Sequence, residues 1–274
     1  MNKLPIEKRV QIINLLVEGN SLRACSRIAD VSINTVTKLL VSVGKACEKF
    51  HNETVVNIKS YRIQADEIWS FVYAKEKNAP LNMEGVGDCW TWTGIDADTK
   101  LIVSWFVGQR DADSAQEFMS DIAKRITTRF QLTTDAFRMY INAVTENFGS
   151  QIDYAQLIKV YGKGSSANST DTKYSPAECI GIEKRIISGN PNEKDISTSF
   201  VERQNLTIRM HNRRFTRLTN AFSKKLENHA LALALHFVYY NFSKIHKTLR
   251  VTPAMEAKLA KKPMTLEEIV RLVD

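Results

Sequence analysis

The 274 residues predict an α/β protein, a mixed sheet flanked by helices and preceded by an all-helical unit. Three observations predict it. Apolar residues recur at helical spacing through the first fifty positions. The pattern switches at Tyr61 to a run rich in aromatic and β-branched residues, followed by two similar runs joined by a turn. Strand-like and helical stretches then alternate, as expected when helices cover a sheet.

In the first unit, Val10, Ile13, Leu15, Leu16 and Val17 make the apolar face of a helix ending near Gly19. Leu22, Ala24, Cys25 and Ile28 follow, then a break at Asp30 to Ser32. A further helix runs from Ile33 to about Phe50, with Ser32 as its N-cap. A second helix opening in Asn34, Thr35, Thr37 and Lys38 suits a helix-turn-helix whose small polar residues enter a major groove. A three-helix bundle without a nucleic-acid role has the same pattern. Residues 1–50 are thus read as a helix-turn-helix domain and 51–60 as a connector.

The first strand spans Tyr61 to Tyr73. Alternation puts Ile63, Ala65, Glu67, Trp69 and Phe71 on one face and Arg62, Gln64, Asp66, Ile68 and Ser70 on the other. Asp66 and Glu67 are both candidate ligands, Asp66 in the more polar company. Cys89 to Ile95 and Leu101 to Val107 form a hairpin, with Asp96 and Asp98 as turn formers. Asp113 or Ser114 caps a helix through about Ile126. Phe130 to Asp135 is a short strand ending in an acid, Phe137 to Phe148 a helix, and Gln151 to Tyr161 another strand. Residues 162–196, rich in Ser, Gly, Asn and charge, read as an irregular insertion.

Between Val201 and Lys225 stand seven basic residues, Arg203, Arg209, Arg213, Arg214, Arg217, Lys224 and Lys225, against the single acid Glu202. With Ser197 or Ser199 as N-cap, Glu202, Asn205, Arg209 and Arg213 fall along one stripe of a helix. Glu202 is there either a cap that suits the helix dipole or a metal ligand beside a bound polyanion. A helical stripe from Phe222 to Tyr240, a turn at Thr252 and a short helix over Leu266 to Val273 complete the chain, and 251–274 reads as a tail.

The formal charge of +8 and a pI near 9.2 call for a polyanionic partner, nucleic acid first. Four dispersed cysteines without a CxxC offer no zinc site and suit a reducing compartment. No apolar stretch is long enough to span a bilayer, and the N-terminus does not read as a signal peptide, so a cytoplasmic, nucleoid-associated protein with no membrane role is expected. Asp66, Asp135 and Glu202, from two strands and a helix, would converge at one end of such a sheet. There they would hold two hard cations, Mg²⁺ or Mn²⁺, about 3.5–4 Å apart for phosphodiester chemistry.

DEIWSFV at Asp66, TTDAF at Thr133, YSPAECIGIEK, GNP, the long ERQNLTIRMHNRRFTR segment from Glu202 and YYNFSKIHKTLRVTPAM carry a resemblance. The chain resembles DDE-class transposases with a ribonuclease-H-like catalytic domain, and most closely the insertion-element-one family of bacterial transposases. The resemblance implies a ribonuclease-H-like domain over residues 61–250. It selects Asp66 over Glu67 and implies Asp66, Asp135 and Glu202 as catalytic, metal-binding carboxylates. It further implies 3′-end cleavage and strand transfer on double-stranded DNA, and a dimer or larger assembly. Arg203, Arg209, Arg213 and Lys224 would neutralise DNA phosphates. Family members commonly have an N-terminal zinc module; this sequence has no cysteine cluster there, which leaves end recognition to the helix-turn-helix. The competing expectation is a catalytically inactive, sequence-specific DNA-binding regulator on the same fold; a structure-selective nuclease is a third.

Overall fold

The computed structural model describes residues 4–80, 82–162, 179–216 and 219–274. Three helices come first: α1 (Ile6–Val17), α2 (Leu22–Ala29) and α3 (Ile33–Thr54). Ser21 and Ser32 cap α2 and α3, each hydroxyl accepting from the backbone N–H three residues on. Asp30 ends α2 in the left-handed conformation, which an Asx side chain tolerates.

The sheet contains β1 (Arg62–Val72), β2 (Gly87–Asp96), β3 (Ile102–Gly108), β4 (Gln131–Thr134), β5 (Asp153–Tyr161) and β6 (Cys179–Ser188), in the order β3-β2-β1-β4-β5-β6. β1, β2 and β3 form an antiparallel meander, β4 and β5 run parallel to β1, and β6 returns antiparallel at the edge. This mixed, helix-flanked sheet is consistent with the ribonuclease-H-like arrangement. Asp96 makes the hairpin turn, its Oδ1 accepting from the N–H groups of Asp98 and Thr99.

Helices cover both faces. α4 (Ala112–Arg125) and α5 (Met139–Phe148) pack Phe118, Ile122, Tyr140 and Val144 against Ile63, Ala65 and Trp92. On the other face α6 (Ser199–His211) and α7 (Leu226–Val238) bring Val201, Ile208, Leu233 and Phe237 onto Ile68, Ile95 and Ile102. The N-terminal helices join the same packing: Val17, Leu40, Val43 and Cys47 lie in one buried cluster with Ala232 and Leu235 of α7. α8 (Pro253–Glu256) and α9 (Leu266–Arg271) end the chain; Ile269 and Val270 are buried, and Asp274 meets Arg9 of α1 at 3.1 Å.

Several boundaries differ from expectation. The stretch expected to be an irregular insertion contains β6, whose residues pair along β5 from Tyr154 to Tyr161; residues 163–178 lie outside the described residues. β6 buries no side chain, so it lacks the alternation that marks a half-buried strand. α4 is capped by Asp111, which accepts from Ser114 N–H at 2.9 Å, rather than by Asp113 or Ser114. α6 starts from Thr198, and neither Ser197 nor Ser199 caps it. It ends at His211, because Asn212 is extended and its side chain accepts from Arg214 N–H. The expected continuous stripe from Glu202 to Arg213 therefore stops at Arg209; Arg213 lies in the following tight turn, and Arg217 lies outside the described residues.

Candidate carboxylate site

The last parallel pair between β1 and β4 is Ala65 with Thr134. Asp66 and Asp135 each stand one residue beyond it, where the two strands part at the carboxyl end of β4. In open α/β sheets such a divergence forms the crevice in which ligands sit. Asp66, Glu67 and Asp135 each present one carboxylate oxygen there, and these lie within 4.8 Å of one another.

The three acids are held differently. Asp66, on the α6 face of β1, accepts a hydrogen bond from Asn205 Nδ2 at 2.8 Å. Burial, then the charges of Glu67 and Asp135, push its carboxyl up to about 8. Glu67 has a side chain only 1% exposed and accepts from Arg110 at 2.6 Å and from the Tyr140 hydroxyl at 2.9 Å. Burial raises its carboxyl also, with the charge of Asp135 adding and Arg110 opposing. Asp135 accepts from Phe137 N–H at 2.9 Å and lies 3.6 Å from Arg110; burial is again the main reason its carboxyl is raised. Arg110 itself lies over the rings of Phe137 and Trp90, 4.1 and 5.0 Å from their centroids.

Glu202 is on the first turn of α6, above the same face as Asp66. Its Oε2 accepts from Lys159 Nζ of β5 and its Oε1 from the Thr198 hydroxyl, each at 2.5 Å. Glu202 is outside the 4.8 Å group, yet close enough that its charge adds to the upward shifts of Asp66 and Asp135. Gln64, two residues before Asp66, sets the pose of α6: its Oε1 accepts from Phe200 N–H at 2.8 Å and Val201 N–H at 3.2 Å. A β1 side chain thus supplies the cap that the serines do not.

The donor set fits a divalent cation. Asp66 and Asp135 offer oxygens of the hard type preferred by Mg²⁺ or Mn²⁺ within 4.8 Å of each other, and crowding by the neighbouring carboxylates adds to the cost of ionising Asp66 in a way that a cation relieves.

The remaining expected residues are dispersed. Asn34 and Lys38 are exposed at the start of α3, whereas Thr35 and Thr37 are half-buried and turned into local bonds with Ser32 and the Ile33 carbonyl. Arg203, Arg213 and Lys224 are exposed, and Arg209 is half-buried. His246 bonds to Thr248, two residues away. Sequence reasoning missed Arg110, Lys159, Tyr140 and Gln64. One signal was present: a carboxylate at position 67 among Ile63, Ala65 and Trp69 is bound to be paired when buried.

No protein-family model and no curated protein sequence matches the chain. Among solved structures, a similar chain is that of a "Mos1 transposase paired-end complex with left transposon end", at 12% identity and a TM-score of 0.22, over 53% of this chain and 58% of that one. This chain therefore spans little more than half the length of that one, and so low a score carries no weight for the site.

Proposed function

We propose that the protein is a metal-dependent DNA-cleaving and strand-transferring enzyme, a DDE-type transposase of the kind its sequence motifs resemble. The observation that carries this reading is the meeting of Asp66, Glu67 and Asp135 where β1 and β4 diverge, with Glu202 on the helix above. Asp66 and Asp135 would hold a first divalent ion, and Glu202 would join them in holding a second once released from Lys159. Bound Mg²⁺ or Mn²⁺ supplies Lewis acidity toward a phosphodiester and lowers the pKa of an attacking water or 3′-hydroxyl.

The chain's own residues do the positioning. Asn205 orients the Asp66 carboxylate, and the Asp135 carboxylate is fixed by Phe137 N–H. Arg110 neutralises Glu67, which leaves Asp66 and Asp135 as the carboxylates without a full counter-charge. Lys159 would be freed from Glu202 to meet the DNA phosphate, a cation placed beside developing negative charge. The N-terminal helices would serve as the DNA-binding unit through Asn34 and Lys38, with Arg203, Arg209, Arg213 and Lys224 along the phosphate backbone, and synapsis of two ends would require a dimer or larger assembly.

The test is strand cleavage of duplex DNA carrying the flanking end sequences, in Mg²⁺ and in EDTA, for wild type and Asp135→Asn. The reading predicts Mg²⁺-dependent nicking by wild type alone. Equal inactivity with equal DNA binding would instead leave a DNA-binding regulator on the same fold.

A further inference from the structure

A cavity of about 780 Å³ lies away from the carboxylates, between the start of α3 and the segment from His211 to His236. It is large enough for a nucleotide-sized group rather than a bare ion. Five cations line it, Arg23, Arg213, Arg214, Lys224 and Lys225, and no carboxylate does among the described residues. Like charges gathered in a concavity repel unless an anion joins them.

Its wall also holds hydrogen-bonding groups without partners. Asn212 is 6% exposed, and its Nδ2 makes no hydrogen bond among the described residues. The same holds for Arg214 Nε and for both ring nitrogens of His236, which is 4% exposed. Burial pulls the Arg214 guanidinium down to about 10, as expected of a cation lacking a counter-charge, and keeps His236 neutral, so one of its ring nitrogens is a donor. Buried donors left open cost stability and are rare.

We propose that this cavity is a binding site for the phosphate of a nucleotide, held by Arg214 among the five cations of its lining and screened at its rim by Lys224 and Lys225. The phosphate comes from a DNA strand or from a free nucleotide. Only the first source rests on the DNA-processing reading above.

The test is metal-free. In EDTA, with ionic strength matched by chloride, inorganic phosphate raises the melting temperature of wild type but not of Arg214→Gln, and a deoxynucleoside monophosphate raises it further. With a duplex oligonucleotide, Arg214→Gln lowers affinity about tenfold and cuts the log–log salt slope by about 1, which assigns the site to a strand. Lost protection by phosphate and mononucleotide with unchanged DNA binding assigns it to a free nucleotide. Should Arg214→Gln fail to fold, Lys225→Gln, which is exposed, lines the cavity and is not among the residues assigned above to the phosphate backbone, provides the same readouts. Wild type and variants that behave alike in all three arms overturn the site. DNA cleavage is not among these readouts, so an inert carboxylate cluster would sink the enzymatic reading and leave this one standing.

Discussion

Glu67 presents the plainest electrostatic problem among the residues of the site. Its carboxylate is buried on the α5 side of β1 and, among the described residues, takes its hydrogen bonds from Arg110 and Tyr140, which offset its desolvation. Arg110→Met removes the charge while keeping much of the packing on Phe137, and leaves a buried acceptor short of a donor. We expect a loss of about 1–3 kcal/mol in urea unfolding. Glu67→Gln keeps the Tyr140 bond and loses less. An Arg110→Met protein as stable as wild type would mean that Glu67 is protonated and needs no counter-charge.

At the scale of elements, the approach of α6 to β1 decides whether Glu202 and Asn205 face Asp66. Gln64 makes that approach through two N–H groups of the first turn. Gln64→Ala is expected to cost about 1 kcal/mol, the usual worth of a cap. Amide exchange should speed up at Phe200 and Val201, and cleavage should fall by more than the lost stability explains. Unchanged exchange at those two amides would remove Gln64 from this role. A second close approach joins α3 to α7: a Cβ added at Gly44 would stand 2.7 Å from both the Leu231 Cβ and its carbonyl oxygen. Gly44→Ala should therefore destabilise by about 1–3 kcal/mol, as overpacking does, and a neutral effect in urea unfolding would contradict that contact.

Much of this was legible in the residues. Alternating apolar runs marked β1 to β3, Asp96 marked their turn, and Ser32 marked the start of α3. Alternation left Asp66 and Glu67 open, and only the resemblance of the surrounding motifs singled out Asp66 and Asp135. What stayed hidden depended on partners distant in sequence. β6 has no buried face to leave a pattern, and the cap of α6 comes from a residue 136 positions earlier. The basic run after Glu202 looked like one helix face because charge spacing says nothing about Asn212, whose extended backbone ends the helix.

For the whole molecule, helices cover the central strands on both faces, and three histidines pay for that burial. His51, His229 and His236 are each pushed down to about 3, mainly by burial. Unfolded histidines titrate near 6.5, so between about pH 6.5 and 3 the unfolded chain takes up protons that the folded chain refuses. Each histidine thus favours folding above pH 6.5 and surrenders up to about 1.4 kcal/mol per pH unit below it. Asp66, raised to about 8, acts in the opposite sense, so single-site comparison is the clean readout. Costs independent of pH cancel in the comparison of His51→Phe with wild type at pH 6.0 and 5.0. The difference should shift toward the variant by about 1.2 kcal/mol. No shift would mean that His51 takes up its proton in the folded state.

The claim that organises the molecule is that its diverging strands bring carboxylates together to hold divalent metal. Titration with Mn²⁺ followed by electron paramagnetic resonance reads this directly, since bound ions vanish from the free-ion signal. Wild type should bind Mn²⁺, Asp66→Asn and Asp135→Asn should lose the tightest binding, and Glu202→Gln should lose only the weaker part. Mn²⁺ binding that is absent, or identical in wild type and all three variants, would contradict the account.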